Sequence, residues 1–368
     1  MKFIAKKSEI AESLQLGAAI AERRQTIPVL ANLKIIAANN SVEITATDLE
    51  IQIKTTTRIK EIIEEGETTV SARKMSELCR SLPENENLEF NLNNGKLSVS
   101  AKNFNADFST ISTKDFPELE FSESSSTTPM LPATLLRLLS KTSFCMASQD
   151  VRYYLNGLLI EYREGKILAV ATDGHRMALA EESLKDGGSL EGTRYIIPRK
   201  AVLELSKILK SEGKEIEIGF GTSSLRVKDE DLDFCTKLID GKFPDYDKVL
   251  PPGEPNKLLI SKEDLQSALS RASVLSNEKY RGVRFQLSKN KLILTANNPE
   301  KESAEEALDV NYEGPPMEIG FNIGYILDVL SIIDTENVQI NLYGEESSCT
   351  IQEPENQSEV YVIMPMRL

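Results

Sequence analysis

The fold is decided by a stretch that reads LANLKIIAANNSVEITATDLEIQI at residues 30–53 and returns twice along the chain. The second copy is YLNGLLIEYREGKILAVATDGHRMAL at residues 154–179, and the third is RGVRFQLSKNKLILTANNPEKESAEEAL at residues 281–308. Each copy has an apolar strand, a polar turn and a second alternating strand, which ends at Thr47-Asp48, Thr172-Asp173 or Ala296-Asn297. These pairs lie 125 and 124 residues apart. Such a repeat predicts three copies of one unit.

A helix is predicted before each copy and another after it, because apolar residues there recur at helical spacing. The preceding helices read SEIAESLQLGAAIAE from Ser8, PATLLRLLSKTSFCMA from Pro132 and SKEDLQSALSRASVL from Ser261. Pro and Ser are common at helix starts. The helices that follow have Arg73-Lys74, Arg199-Lys200 and Asn322-Ile323 at their beginnings, and more alternating strands come after them.

Each unit therefore reads as two βαβββ halves, in an α+β architecture with helices on one face of mostly antiparallel sheets. Linker-like stretches at 122–129 and 251–257 place the predicted domains at 1–126, 127–253 and 254–368. Exposed sheet edges must be paired or covered. We therefore expect a head-to-tail two-fold assembly that closes the repeats of two chains into a ring.

Composition excludes several kinds of chemistry in this chain of 368 residues. The four cysteines are far apart without metal-ligand spacing, and they predict four buried thiols: Cys79, Cys145, Cys235 and Cys349. The single histidine, His175, excludes His-rich metal sites, and neither a P-loop nor a dinucleotide-binding glycine motif occurs. The sequence shows neither a membrane span nor a signal peptide. We expect a cytoplasmic protein without cofactor or membrane partner.

The net charge of −14 argues at first against binding to nucleic acid. Yet the six predicted helical segments together carry +7, which leaves −21 for the rest of the chain. They are residues 6–24, 71–82, 132–147, 198–211, 262–275 and 322–333. A basic helical face on an acidic body would attract phosphates without reading sequence. The alternative is that Lys and Arg simply favour exposed helix surfaces.

Six motifs carry a resemblance that spans the whole chain: DVRYYLNG (150–157), ATDGHRMAL (171–179), FPDY (243–246), LSNEKYRGVR (275–284), TANNPE (295–300) and YVIMPMRL (361–368). With them the chain resembles the bacterial DNA polymerase III β subunits, the replicative sliding clamps. The resemblance implies a homodimeric ring with helices lining the pore and sheets outside. It implies a processivity factor that is not an enzyme. The implied partners are double-stranded DNA, the replicative polymerase, the clamp loader, and other polymerases and repair proteins with clamp-binding peptides.

The resemblance implies a DNA-binding surface on the inner wall of the ring. The matching residues are Arg24, Arg73, Lys74, Arg80, Gln149, Tyr153, Tyr154, Arg199 and Lys200. Cationic and polar side chains can hold phosphates without reading bases. Core packing is the alternative for Tyr153 and Tyr154.

A second implied surface is a peptide pocket between the second and third repeats. It would be built from Leu155, Thr172, Gly174, His175, Arg176, Met177, Pro244, Val249, Asn322, Tyr325, Val362, Met364, Pro365, Met366 and Arg367. Leu, Val and Met side chains make an adaptable apolar groove. His175, Arg176 and Arg367 would supply donors at its rim. Without the resemblance, VIMPM reads as an ordinary last strand.

The implied dimer interface pairs Lys74 and Ala106 of the first repeat with Val274, Leu275, Glu305 and Glu306 of the other chain. Ala106 is smaller than the aromatic residue common there, which predicts a smaller apolar contact. Three further positions depart from the family pattern. Asp247 stands where a basic residue is frequent, Ser148 where a histidine is familiar, and Glu346 where the pocket is usually apolar.

Two other function classes compete with the clamp hypothesis. A hydrolase could use Asp48 and Asp173, which occupy equivalent places in two repeats, as paired carboxylates. The third copy has Asn297 there, and turn chemistry explains Asp and Asn equally well. The other rival is a peptide-binding scaffold that has no role on DNA.

Overall fold

A computed structural model describes residues 1–21, 27–119, 126–184 and 190–367. Within these ranges the α-helices are α1 (Lys7–Ile20), α2 (Ala72–Ser81), α3 (Pro132–Thr142), α4 (Arg199–Ile208), α5 (Lys262–Ser273) and α6 (Ile323–Ile332). They lie at the six predicted places, two to each repeat. None of the helices found in these ranges is long and apolar enough to cross a membrane.

The helix starts are fixed by local hydrogen bonds that the sequence encodes. The Ser261 hydroxyl accepts the Asp264 amide at 3.3 Å, and the Asn322 side-chain oxygen accepts the Tyr325 amide at 3.3 Å. Both residues are N-caps that satisfy an otherwise unpaired donor of the first turn. Helix α1 begins one residue before the predicted Ser8, and the Glu9 carboxylate accepts the Lys6 amide at 2.9 Å.

The strands of the first repeat are β1 (Lys2–Lys6), β2 (Asn32–Ala38), β3 (Ser41–Thr47), β4 (Ile51–Arg58), β5 (Glu61–Glu64), β6 (Gly66–Ser71), β7 (Asn87–Asn93), β8 (Lys96–Ala101) and β9 (Phe104–Ile111). Those of the second are β10 (Ser126–Met130), β11 (Gly157–Arg163), β12 (Lys166–Thr172), β13 (Arg176–Ser183), β14 (Arg194–Pro198), β15 (Ile216–Phe220), β16 (Ser224–Lys228) and β17 (Leu232–Lys237). Those of the third are β18 (Asn256–Ser261), β19 (Gly282–Ser288), β20 (Lys291–Asn297), β21 (Ser303–Asp309), β22 (Asn311–Tyr312), β23 (Met317–Asn322), β24 (Asn337–Leu342), β25 (Cys349–Gln352) and β26 (Glu359–Ile363). The predicted α+β class is confirmed.

One compact unit comprises Met1–Leu135 and Leu203–Leu238. It contains a sheet in the order β10-β15-β16-β17-β4-β3-β2-β6-β9-β8-β7-β1-β5. The antiparallel pair β17–β4, with Phe234 opposite Ile53, joins strands of the second repeat to strands of the first. Both side chains are fully buried, so the junction is part of the core.

The other compact unit comprises Leu136–Val202 and Ile239–Leu368. It contains a sheet in the order β14-β11-β12-β13-β26-β25-β24-β18-β22 and a second sheet in the order β21-β20-β19-β23. Here the antiparallel pair β13–β26, with Met177 opposite Val362, joins the second repeat to the third. The strands of the second repeat therefore extend the sheets of both neighbouring repeats.

At the turns that end the repeated hairpins, the predicted alignment of the third repeat with the other two is wrong by one residue. The Asp48 side chain accepts the amides of Glu50 and Ile51, and Asp173 accepts those of His175 and Arg176. In the third repeat Asn298, not Asn297, caps the turn, since its side chain accepts the Glu302 amide at 3.0 Å. The predicted alignment was one residue out because Asn297 and Asn298 are adjacent. All three side chains stabilise turns.

A buried ion cluster shows that two of the cations counted on the helices do not belong to a basic face. Arg137 and Lys141, the two cations of α3, bind Glu359 at 2.6 and 3.3 Å, and the Glu359 side chain is only 3% exposed. Lys141 also binds Asp334 at 2.8 Å. Burial disfavours its charge, but the hydrogen bond to Asp334 and the charge of Glu359 outweigh burial, so the pKa of Lys141 is raised. The charges of Arg137 and Lys141 therefore stabilise the fold and do not contribute to a basic face.

Replacing Glu359 by Ala should lower the free energy of unfolding by about 3 kcal/mol, because Arg137 and Lys141 would lose a buried counter-charge. Urea unfolding followed by circular dichroism measures the change. The control is Glu230→Ala, which removes an exposed ion pair with Lys214 at 2.7 Å and should change the free energy of unfolding far less, because solvent screens that pair. Equal losses in the two variants would contradict a special role for the buried cluster.

Candidate functional site

The turn between β12 and β13, residues 172–176, is held rigid by its own side chains. The Thr172 hydroxyl donates to the Arg176 carbonyl at 2.7 Å and accepts the Gly174 amide at 3.1 Å. Gly174 has φ +89°, and a Cβ there would lie 2.9 Å from the Arg152 guanidinium. The backbone conformation would therefore strain any side chain at this position, and Arg152 would have to move aside.

Arg176 is enclosed by groups from three parts of the chain, with 12% of its side chain exposed. Its Nε donates to Asp173 Oδ2 at 3.0 Å, its Nη1 to Asp328 Oδ2 at 2.5 Å, and its Nη2 to the Phe144 carbonyl at 3.0 Å. The guanidinium carbon lies 4.5 Å from the centre of the Tyr325 ring. Arg176 was predicted to be a rim donor, but these groups already occupy much of its donor capacity.

The chain end runs beside this turn as an extended segment. The Met364 amide donates to the His175 carbonyl at 3.0 Å, and the Met366 amide donates to the Gly320 carbonyl at 2.8 Å. Met364 is 41% exposed, Pro365 and Met366 are half-buried, and Arg367 is exposed. The residues after β26 therefore present side chains at the surface while their backbone is fixed on both sides.

Several of the predicted pocket residues belong to one apolar cluster. Met177 and Val362 are buried in it, and Val249 packs against it from the side. Leu155 is also buried, with 1% of its surface exposed. The predicted pocket residues thus include buried ones, Leu155, Met177 and Val362, and accessible ones such as Met364.

The segment that carries Pro244 and Val249 is anchored by Tyr246. The Tyr246 hydroxyl donates to Glu161 Oε2 at 2.6 Å, and the guanidinium carbons of Arg163 and Arg194 lie 5.7 and 5.5 Å from its ring centre. Pro244 and Val249 are half-buried on either side of this anchor. The FPDY motif therefore sets the position of one wall of the candidate pocket.

Charges near this wall are paired within the chain. Asp247, the departure from the family pattern, accepts from Arg163 at 2.9 Å, and Lys248 binds Asp245 at 2.9 Å. The hydrogen bond from Lys248 lowers the pKa of Asp245. Asp247 is therefore compensated locally, whereas Glu346, the other acidic departure, is exposed.

Residues 148–156 form a second candidate surface. The Asp150 amide and the Asn156 side-chain oxygen are 2.9 Å apart, and Arg152 donates to Asp150 through its backbone and side chain. The side-chain hydrogen bond from Arg152 lowers the pKa of Asp150 to about 2. Tyr153 is 56% exposed, whereas Tyr154 packs against the apolar cluster that contains Met177 and Val362. Only Tyr153 presents most of its ring to a partner.

Three family models match consecutive parts of the chain. Residues 1–120 match the family model of the DNA polymerase III beta subunit, N-terminal domain, residues 130–245 match its central domain, and residues 247–367 match its C-terminal domain. The chain belongs to the DNA polymerase III beta subunit family. Its function is that of a DNA sliding clamp, a processivity factor that is not an enzyme.

Relatives of known identity agree over full length. Proteins called beta sliding clamp from Pseudomonas putida and Escherichia coli are 42% and 41% identical over 368 residues, covering 100% of both chains. A solved Pseudomonas aeruginosa DNA polymerase III subunit beta has a TM-score of 0.96 at 41% identity and 100% coverage of both chains. A clamp from the same species bound to griselimycin has a TM-score of 0.97 at 41% identity, again with 100% coverage of both chains.

The described residues that the clamp resemblance assigned to DNA lie at the starts of α2 and α4, in the last turn of α2 (Arg80) and on the 148–156 segment. Arg73, Lys74 and Arg80 are exposed on α2, and Arg73 pairs with Glu77 at 2.8 Å. In the other unit Gln149 and Lys200 are exposed. Arg199 is half-buried, and its side chain donates to the Met146 carbonyl at 2.9 Å. Its backbone amide donates to the Asn156 carbonyl at 3.0 Å, which ties α4 to the 148–156 segment. Arg24 lies outside the described residues.

The residues assigned to the dimer interface lie on or near two strand edges. Ala106 is on β9, which pairs with β8 along its length and with β6 only through Thr110 and Ile111. Glu305 and Glu306 are on β21, whose pairing among the described residues is with β20. Val274 is 77% exposed at the end of α5.

Three further residues lie at the candidate pocket and were not among the residues predicted from the sequence. Tyr280 is 55% exposed, and its carbonyl accepts the Asn322 side-chain amide at 3.2 Å. Phe144 and Asp328 hold Arg176. Signals existed for two of them. Tyr280 lies in the LSNEKYRGVR motif, and Asp328 is the single charge in the segment 322–333.

Alanine substitutions should separate the roles of the two tyrosines. Tyr154→Ala removes packing on the core and should lower the free energy of unfolding by about 2 kcal/mol. Tyr153→Ala should lower it less, because 56% of Tyr153 is exposed and the contact it loses is an edge contact with the Tyr154 ring, with 5.7 Å between ring centroids. Urea unfolding measures both. A larger loss for Tyr153→Ala than for Tyr154→Ala would contradict the assignment of Tyr154 to the core.

Proposed function

We propose that this chain contacts duplex DNA without sequence preference through Arg24, Arg73, Lys74, Arg80, Gln149, Tyr153, Arg199 and Lys200. Tyr154 supports this surface from the core. As a clamp, the chain binds double-stranded DNA, the replicative polymerase, the clamp loader and other replication and repair proteins. It tethers the polymerase to its template and raises processivity by effective concentration, not by chemistry. The protein acts in the cytoplasm, with domains 1–126, 127–253 and 254–368.

The DNA assignment is supported by the exposure and chemistry of these side chains. Long, flexible cations such as Lys74 and Lys200 reach phosphates in many positions, so the contact survives as the duplex moves. Acidic residues over the rest of the chain repel DNA from other surfaces. The observation that carries the proposal is the family match over the whole length, together with exposed Arg73, Lys74, Arg80 and Lys200 on helices.

The peptide assignment is supported by the way β13, β26 and α6 meet. The accessible Met364, the half-buried Pro365 and Met366 and the fixed backbone of the chain end give a partly apolar surface that needs little ordering before a ligand binds. We propose that partner peptides bind there, in contact with the fifteen residues named for the pocket and with Tyr280. Griselimycin, which is bound in solved clamps from Pseudomonas aeruginosa and Bartonella birtlesii, is the probe for this surface.

The chain assembles head to tail as a homodimeric ring. We propose that β9, with Ala106, meets β21, with Glu305 and Glu306, of a second copy, while Lys74 approaches Val274 and Leu275. Unpaired strand edges favour such pairing. The small side chain of Ala106 leaves this contact with less buried apolar area than an aromatic residue would give.

Encirclement of DNA predicts a topological result. After loading, the protein should stay on nicked circular DNA and leave when the DNA is cut to give free ends. Arg73→Glu with Lys200→Glu should shorten retention, and more so as salt rises, because phosphate contacts are lost. Retention is measured by gel filtration of the complex with labelled protein.

The control for this experiment is Lys228→Glu, which changes the charge of an exposed residue on strand β16 by the same amount. It should leave retention unchanged. Protein that remains bound after linearisation would rule out encirclement, and a protein that never binds DNA would favour the scaffold alternative.

The pocket predicts a loss of griselimycin binding in two variants. Deletion of residues 364–368 should abolish binding, and Met364→Ala should weaken it about tenfold, because roughly half of a Met side chain loses its apolar contact. Isothermal titration calorimetry gives the affinity, and sedimentation velocity should show the dimer intact in both. Ile63→Ala, which truncates an equally accessible apolar side chain on β5, should bind like the wild type. Unchanged affinity after the deletion would refute the pocket.

A further inference from the structure

Asp328 links two segments that are far apart in the chain. It is the one charged residue in the apolar segment 322–333, and its carboxylate accepts Arg176 Nη1 at 2.5 Å. About half of its side chain is exposed, so the ion pair adds little to the stability of folding. What the pair does is join α6 of the third repeat to the turn 172–176 of the second.

The Arg176 guanidinium has a fixed orientation, so it can hold the groups that it contacts in place. Its planar guanidinium is held at three corners, by Asp173, Asp328 and the Phe144 carbonyl. Its face lies over the Tyr325 ring, whose helix is the one that carries Asp328. A guanidinium with directed hydrogen bonds and a stacked face has few alternative orientations.

Backbone hydrogen bonds complete a closed frame around the candidate pocket. The turn is linked to the chain end by the Met364 amide on the His175 carbonyl, and the chain end to β23 by the Met366 amide on the Gly320 carbonyl. Strand β23 leads directly into α6, where Asp328 returns to Arg176. Asp328 therefore closes the frame on the side where no strand pairing links the turn to α6 among the described residues.

We propose that Asp328 is a positioning residue of the peptide-binding pocket, which holds Arg176 and thereby fixes the spacing between the turn 172–176 and helix α6. The proposal rests on the peptide assignment above. Asp328 acts through Arg176 and preorganises the pocket, so its loss weakens binding by adding an ordering cost and not by removing a contact to the ligand.

The experiment measures griselimycin affinity by isothermal titration calorimetry in a double-mutant cycle. Asp328→Ala should weaken binding about fivefold in the wild-type background, and Asp328→Asn, which keeps a neutral acceptor, should weaken it less. In the Arg176→Lys background, where the three-cornered arrangement is already broken, Asp328→Ala should have under about 1.5-fold effect. Wild-type affinity in Asp328→Ala, or the same loss in both backgrounds, would overturn the proposal.

Two further measurements distinguish positioning from general destabilisation. Asp233→Asn removes another Arg–Asp pair, with Arg226, away from this frame, and it should leave griselimycin affinity unchanged. Hydrogen–deuterium exchange of peptides covering 172–177 should be faster in Asp328→Ala than in the wild type and unchanged in Asp233→Asn. If Arg176→Lys binds too weakly for calorimetry, this exchange decides, and equal rates in Asp328→Ala and the wild type overturn the proposal.

Failure of the peptide assignment gives a different pattern. Wild-type protein would then not bind griselimycin, or the deletion of residues 364–368 would not matter. Failure of the positioning role alone leaves both of those results as expected, with Asp328→Ala indistinguishable from the wild type.

Discussion

The fold depends on strand pairing across the boundaries between repeats. A sheet edge presents unpaired amides and carbonyls, and leaving them buried without partners is costly. The pairs β17–β4 and β13–β26 remove these edges, and their side chains, such as Phe234 and Met177, enter common cores. Because of this pairing the described strands of the second repeat form no separate sheet. Its strands continue the sheets of its neighbours, and the compact units do not coincide with the repeats.

The same pairing creates the candidate peptide pocket. β26 must lie against β13 for the last residues of the chain to reach the turn 172–176, and the Met364 amide then meets the His175 carbonyl. The candidate pocket thus lies where two repeats share one sheet. Beside it, Arg176 of the turn 172–176 and Asp328 of helix α6 form an ion pair at 2.5 Å.

Charge in this protein has two separate roles. Arg137 and Lys141 neutralise buried carboxylates and stabilise the fold, while Arg73 and Lys200 remain exposed on helices. A count of charges by helix cannot distinguish these roles, because both kinds of cation lie at similar helical positions. The inference that an acidic chain can bind DNA is correct for the family, but part of the charge that suggested it is internal.

Sequence alone determined the three-fold repeat, the α+β class, the six helices and the clamp family. Each follows from local periodicity, helix-capping residues such as Ser261, or motifs that lie close together in the chain. The tertiary structure decided which predicted residues are accessible: Tyr153 but not most of Tyr154, and Met364 but not Met177. It also decided that Arg176 binds Asp328, which lies 152 residues away. Exposure and long-range pairing depend on how distant segments meet, and a local pattern carries no information about that.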